Sequence, residues 1–416
     1  MAAPSLSTLF RDSLKIGCLG FGGPAGQIAL MHRVFVDERG WIDEMRFQRM
    51  LAFCMLLPGP EAQQLATYVG WRLRGWAGAL IAGWLFVLPG ALIVLGLSWL
   101  YVLYGDLPLV SAAFDGVKCA VVALVAEALF KVGKRASKGA TSLWIAIAAF
   151  AALVFGAPFP LVIVAAAAIG VVFLRGSPPN TENDSARNTK GAFAQALLWL
   201  ALWLTPPATV ALTLGADHVL FQVALLFSIL ACVTFGGAYA LLAYLTAEAA
   251  ARGWLTTDQM IDGLGLAETT PGPLILVNEF VGFLAGWNAG GVGLALAGAA
   301  LALWCTFAPS FVWIFAGAPV AERLQSNARA AGALTAITAA VLGVIAKLAL
   351  FFATHALFAA QIDVGPVELP DFSTARWWML ALSALAGVAL IRFKANLLAV
   401  LALCAFAGLA AAAAGL

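Results

Sequence analysis

"CMLLPGPEAQQLATYVGW" occupies residues 54–71 and holds a contradiction. The stretch is apolar at both ends. At its centre stand Pro58, Gly59 and Pro60, then a glutamate, Glu61, and two glutamines. Proline removes a backbone N–H and clashes with the preceding turn, so the triplet breaks a helix. A carboxylate avoids hydrocarbon. Yet the surrounding chain has the composition of one that crosses a membrane. Of its 416 residues 63% are hydrophobic and 11% charged, where a soluble domain carries roughly 25% charged residues. The mean hydropathy is +0.96.

The composition also narrows the function classes. The net charge is +2 and no basic run suggests nucleic-acid binding. The six cysteines lie in apolar segments without a CxxC pair and read as small, buried, reduced residues. The three histidines, at 32, 218 and 355, are far apart. No HExxH, GxSxG or phosphate-loop motif appears, so no metal, no cofactor and no enzyme are expected. The N-terminal "MAAPSLSTLFRDSLKIG" lacks a signal-peptide layout, because Arg11, Asp12 and Lys15 interrupt it; it reads as a short interfacial helix. The 14 tryptophans fit interfacial anchoring.

Charge-free stretches long enough to span hydrocarbon place the crossings. They fall at 76–105 and 109–130, then, after the basic turn "KVGKRASK", at about 141–155 and 158–174. A polar linker, "RGSPPNTENDSARNTKG", fills 175–191. Apolar segments resume at about 192–213, 218–246, 287–317, 328–354, 376–391 and 395–415.

The two sides of the linker resemble each other. "GFGGP" at 20–24 matches "TFGGA" at 234–238, and "ERGWIDEMRF" at 38–47 matches "ARGWLTTDQM" at 251–260. "LPGPEAQQLATYVGW" at 57–71 matches "TPGPLILVNEFVGF" at 270–283, "LRGW" at 73–76 matches "LAGW" at 284–287, and "AVVALVAEAL" at 120–129 matches "AAVLGVIAKL" at 339–348. The chain therefore divides into a first repeat, 1–174, the linker, an extra connecting segment, 192–217, and a second repeat, 218–416. Counting 14–31 and 47–73 as one crossing each gives the first repeat six; the extra segment makes seven, an odd number that inverts the second repeat. The expected fold is an all-α polytopic membrane protein of about 13 segments, with two inverted-topology repeats. Basic residues at 72, 74, 252, 323, 329, 392 and 394 then fall inside, and the acidic loop 355–375 outside. The loop 32–46, with Arg33, Arg39 and Arg46, falls outside against that rule unless 14–31 and 47–73 re-enter instead of crossing; both arrangements stay open.

Each repeat carries two helix breakers. Pro58-Gly59-Pro60 and Pro271-Gly272-Pro273 should each end one half-helix and start another. Gly20-Phe21-Gly22-Gly23-Pro24 and Phe235-Gly236-Gly237 are the second pair, whose glycines either allow close helix packing or unwind a helix and offer amides to an oxyanion. Broken helices facing one centre would present their positive N-terminal ends to an anion. Gln27 and Tyr239 would add side-chain donors, with Gln63 and Thr270 in the same motifs. Lys118 and Arg72 are candidate anion partners; the plain alternatives are a Lys118–Glu127 pair and a snorkelling Arg72. Glu61, Glu268 and Glu279 flank the Pro-Gly-Pro motifs, and a protonatable Glu61 or Glu268 would couple a proton to the anion.

"FGGP", "ERGW", "LPGP" and "GVKCAVVAL", with their echoes "FGG", "RGWL", "TPGPL" and "FVGF", resemble the chromate ion transporters in their long, two-domain form, over nearly the whole chain. The resemblance implies proton-motive export of chromate across the bacterial inner membrane, giving chromate resistance, with sulfate as an analogue. By motif it carries over Gly22, Gly23, Pro24, Pro58, Gly59, Pro60, Glu61, Gly236, Gly237, Pro271, Gly272 and Pro273. Ala238 stands where the first repeat has Pro24, and Leu274 where it has Glu61, so the halves differ at the site. The expected partners are the anion and the lipid bilayer. A sulfate or other tetrahedral oxyanion transporter, a passive anion channel and a homo-oligomer stay open.

Overall fold

The computed structural model describes residues 4–21, 23–136, 140–174, 191–235, 238–318, 328–364 and 367–415. The linker therefore lies outside the described residues, except for Gly191. Among the described residues five helices are long and apolar enough to cross a membrane: α4 (Glu61–Tyr104), α5 (Pro108–Ala136), α8 (Ala192–Leu214), α13 (Val292–Gly317) and α14 (Ala328–Leu357). The shortest of them has 23 residues, about 35 Å of helix at 1.5 Å per residue, against roughly 30 Å of hydrocarbon. The rest are shorter. In the first half α1 (Leu6–Leu19), α2 (Gly23–His32) and α3 (Glu44–Cys54) have 14, 10 and 11 residues. The pair α6 (Ala140–Val154) and α7 (Phe159–Phe173) has 15 each. In the second half follow α9 (Val219–Val233), α10 (Ala238–Ala251), α11 (Thr257–Thr269), α12 (Val277–Gly290), α15 (Trp377–Ile391) and α16 (Leu397–Ala413).

Local chemistry sets the ends. The Ser5 hydroxyl accepts from the Thr8 amide and caps α1, and the Asp43 carboxylate accepts from the Arg46 amide at 2.8 Å and caps α3. Within α4 the run stops being helical at Arg74 and Gly75, so Glu61–Leu73 is a half-helix distinct from the span that starts at Trp76. The matching break in the second half is Gly291, between α12 and α13. It lies five residues beyond the "LAGW" glycine, Gly286, which stays inside α12.

Two segments differ from the sequence expectation. The apolar run 218–246 is not continuous, because α9 ends at Val233 and α10 starts at Ala238. The loop 355–375 contains a hairpin of β1 (Gln361–Val364) and β2 (Val367–Pro370), a small addition to an otherwise helical chain. Ile362, Val364 and Val367 supply the β-branched residues that favour it.

Two compact units emerge, and each takes residues from both sides of the linker. The first comprises Met1–Gly96, Gly176–Ala238 and Thr270–Ala331; the second Leu97–Arg175, Tyr239–Thr269 and Gly332–Leu416. In the first, α8 packs on α13. Trp199 stacks on Phe311 at 4.3 Å between ring centroids, and Trp84 stacks on the same ring at 5.6 Å. Trp199 and Trp203 are 8% and 5% exposed, so these tryptophans are core residues and not interfacial anchors. Trp76, Trp144 and Trp377 are exposed. Cys18 is exposed as well, against expectation, while Cys54, Cys119, Cys305 and Cys404 are buried. The charged connector after α2 is laced by ion pairs: Arg39 donates two hydrogen bonds to Asp12 at 2.7 and 2.8 Å. His32 bonds to Glu44, which holds the imidazole pKa above its ordinary value.

In the second unit α5 lies against α15 and α16. A Cβ at Gly116 would fall 1.9 Å from the carbonyl oxygen of Cys404, and one at Gly408 would fall 2.2 Å from that of Ala112. Small residues thus set the distance between α5 and α16, as they do where membrane helices approach closely. Gly116→Leu is expected to destabilise this unit by at least about 1–3 kcal/mol through overpacking, read as a lower midpoint of thermal unfolding in detergent. Gly96→Leu, where a Cβ meets nothing within 4 Å, is the control and should leave the midpoint in place.

Candidate functional site

Both Pro-Gly-Pro motifs fold alike. Gly59 has φ +107° and Gly272 φ +103°, a region that L side chains avoid. The carbonyl of Pro60 accepts from the Gln64 amide at 3.0 Å and opens α4. The carbonyl of Pro273 accepts from the Leu276 amide at 2.9 Å and opens a 3₁₀ turn, Leu274–Leu276, that runs into α12. Proline before the first helical residue leaves no amide to satisfy at that point.

The motifs are tied to each other across the sequence, and reciprocally. The Gly59 amide donates to the carbonyl of Thr234 at 2.8 Å, and the Gly272 amide donates to the carbonyl of Gly20 at 3.0 Å. Thr234 and Gly20 are the residues just before the two Phe-Gly-Gly breaks. Each half's Pro-Gly-Pro turn therefore fills the carbonyl that the other half's Phe-Gly-Gly break leaves open. Gln27, fully buried, adds a clamp: its Nε2 donates to the carbonyl of Gly272 at 2.5 Å and to that of Gly20 at 3.2 Å. Gln64 Nε2 donates to the carbonyl of Pro58 at 2.6 Å and closes its own turn. Gln63 donates to the carbonyl of Phe307 on α13 at 3.4 Å.

Beside these bonds lies a cavity in the first unit of ≈ 20 Å³, room for one water molecule, which an oxyanion would have to widen. Pro24 and Gln27 line it from α2, Gly59, Pro60, Glu61 and Ala62 from the start of α4, Thr234 from the end of α9, and Pro273, Leu274 and Ile275 from the start of the 3₁₀ turn. The four motifs thus meet in one place. The first-turn amides of Glu61, Ala62, Leu274 and Ile275 are groups for which a helix supplies no acceptor of its own. They bring the positive ends of two half-helices to the cavity wall. Glu61 is the only charged side chain among the lining residues, and no lining residue is cationic. An anion there would be held by backbone dipoles and amide groups and not by an ion pair.

The candidate residues from the sequence fall into four groups. Pro24, Gln27, Gly59, Pro60, Glu61 and Pro273 line the cavity. Gly23, Pro58, Gln63, Thr270, Pro271 and Gly272 belong to the same motifs and the same unit without lining it. Lys118, Tyr239 and Glu268 belong to the second unit. Gly22, Gly236 and Gly237 lie outside the described residues. Lys118 is ion-paired with Asp115 at 3.0 Å and Asp258 at 3.4 Å, while Glu127 pairs with Lys131 at 2.7 Å, so the alternative Lys118–Glu127 pair does not form. The Tyr239 hydroxyl donates to Glu268 at 2.6 Å. Thr234, Gln64, Ala62 and Ile275 are not among the sequence candidates, although "TFGGA", "EAQQ" and "TPGPL" contain them, and Leu274 enters there only as the counterpart of Glu61. Among the described residues no cluster of metal-ligating side chains occurs.

A family model described as chromate transporter matches residues 7–171 and 221–409. The chain is 34% identical over 346 residues to a chromate transport protein of Pseudomonas aeruginosa, covering 82% of this chain and 79% of that one. It is 30% identical over 391 residues to a chromate transport protein of Cupriavidus metallidurans, covering 94% and 89%. It is 27% identical over 352 residues to an uncharacterised transporter of Methanocaldococcus jannaschii, covering 84% and 85%. No solved structure matches the chain.

Gln27→Leu tests the clamp. The second half has Leu241 at the corresponding position, 214 residues on, so leucine keeps comparable bulk. The change leaves the buried Gly272 carbonyl without its donor, at a cost of about 1–3 kcal/mol. A lowered thermal midpoint in detergent is the expected outcome. An unchanged midpoint would mean that the clamp does not hold the two motifs together.

Proposed function

The chain belongs to the chromate transporter family, and from that premise we propose that it exports chromate from the cytoplasm through the cavity between its Pro-Gly-Pro and Phe-Gly-Gly breaks. It is a multi-pass membrane protein of a transporter family, not of an enzyme family. The observation that carries the reading is the meeting of four helix breaks from both halves at one cavity without a cationic side chain. Half-helix N-termini at the centre of a duplicated membrane protein are a recurrent way to hold an anion. Chromate is a tetrahedral dianion with oxygens on every side. Amides arriving from α4 and from the turn before α12 match that shape better than one guanidinium fork would.

Coupling to the proton motive force is part of the proposal, with the bacterial inner membrane as the setting and chromate resistance as the consequence. An ionised Glu61 on the cavity wall would repel the dianion, whereas a protonated one would donate to it. Glu61 and Glu268, the latter held by Tyr239, are the acids that the sequence motifs offer for the proton. Sulfate has the same geometry and charge and is the alternative substrate.

Flux into or out of sealed proteoliposomes tests the reading. Chromate is expected to move against its gradient when a pH gradient is imposed and to stop when the gradient is collapsed. Sulfate should compete with it. Movement that only ever follows the chromate gradient would make the protein a passive channel, and movement of sulfate alone would reassign the substrate.

A further inference from the structure

One carboxyl group of the first unit is used neither by the cavity wall nor by the crossed hydrogen bonds. Glu279 stands in the first turn of α12, four residues beyond the cavity-lining Ile275. It is 4% exposed, and its Oε2 is buried without a hydrogen-bond partner among the described residues. The helix α12 packs mainly against α13, α9 and the 3₁₀ turn 274–276, and none of these contains Asp, Glu, Lys, Arg, His or Tyr. The titratable groups on them are the thiols of Cys305 and Cys232. The helix α4 meets the 3₁₀ turn where Gly90 lies against Leu276; its titratable residues are Glu61, Tyr68, Arg72, Arg74, Tyr101 and Tyr104, all at least 11 positions from Gly90 along the helix. Glu279 is itself the sole charged residue of α12.

The other acids within helices are placed differently. Glu268 accepts from Tyr239, Asp262 accepts from Tyr101 at 2.8 Å, and Glu127 pairs with Lys131. Glu61 lines the cavity and is partly exposed. A carboxylate sealed among apolar helices with no countercharge is strongly disfavoured, and such a group takes a proton instead. The packing around α12 can therefore close only over a neutral Glu279.

We propose that Glu279 is the proton-coupling group of the transport cycle: it takes up a proton when the packing around α12 closes and releases it to water when that packing opens. The step is a simple ionisation, in which the carboxyl O–H breaks, the electron pair stays on the carboxylate and the proton passes to water entering the opened site. One turn of helix separates this group from the cavity wall, so its charge and an anion in the cavity sense each other through a low-dielectric medium. The proposal rests on the transport reading above and supplies the residue that reading requires.

The test uses the full chain in proteoliposomes, with chromate flux and proton flux recorded together, for wild type, Glu279→Gln and Glu279→Asp. Glutamine keeps the shape and the neutral state, so the variant should fold, as checked by its thermal midpoint in detergent. The expected result is that Glu279→Gln still exchanges chromate for chromate across the membrane, while its proton-to-chromate ratio falls at least tenfold and its rate no longer varies with pH. Glu279→Asp should regain both. A Glu279→Gln protein with the wild-type ratio or pH profile overturns the proposal and leaves the transport reading standing. So does a folded variant that has lost chromate exchange. Wild type that moves chromate without protons also overturns it. Wild type that moves no chromate rejects the transport reading and the proposal together.

Discussion

Two backbone hydrogen bonds hold the site together: the Gly59 amide on the Thr234 carbonyl and the Gly272 amide on the Gly20 carbonyl. Their importance follows from the solvent. In hydrocarbon an unpaired N–H or C=O costs several kcal/mol, so irregular backbone survives only where protein or a water-lined cavity satisfies it. This chain interrupts its helices twice in each half. It meets the cost by letting one half's interruption complete the other's. Prolines on either side of each glycine fix the turn, and the positive φ at Gly59 and Gly272 aims the amide across. Neither break could be repaired alone without leaving a carbonyl exposed in the partner motif.

The same pairing explains what is left over to do chemistry. The Gly59 and Gly272 amides are taken up by the crossed bonds, and the first-turn positions just after each second proline, where the sequence places the free amides of the half-helices, line the cavity. The two halves are then unequal in side chains. Gln27 and Glu61 of the first half are replaced by Leu241 and Leu274 at the corresponding positions of the second. One half brings the polar clamp and the acid, and the other brings apolar wall together with the sealed carboxyl of Glu279.

Much of this was legible in the sequence, for reasons that are specific. Charge-free lengths located the five long apolar helices because burying a charge in hydrocarbon is costly, and proline and glycine located the breaks because backbone geometry is local. Partner choice was not legible. Nothing in "TFGGA" says that the carbonyl of Thr234 will receive an amide 175 positions away, at Gly59. Nor could Trp199 be told from Trp76, since in a membrane the lipid-facing and protein-facing sides of a helix are both apolar. Lys118 was half legible: Asp115 is three residues before it on α5, a spacing that predicts a pair, whereas Asp258 arrives from α11. The hairpin at 361–370 is not legible because its strands are only four residues each, too short for an alternating pattern to stand out.

The most direct measurement is the position of the anion itself. Crystals of the full chain grown with chromate, with data collected at the chromium absorption edge, would show the metal by anomalous difference density. The crossed-helix site predicts one peak in the cavity bounded by Pro24, Pro60 and Pro273. A peak beside Lys118 with none in that cavity would contradict it.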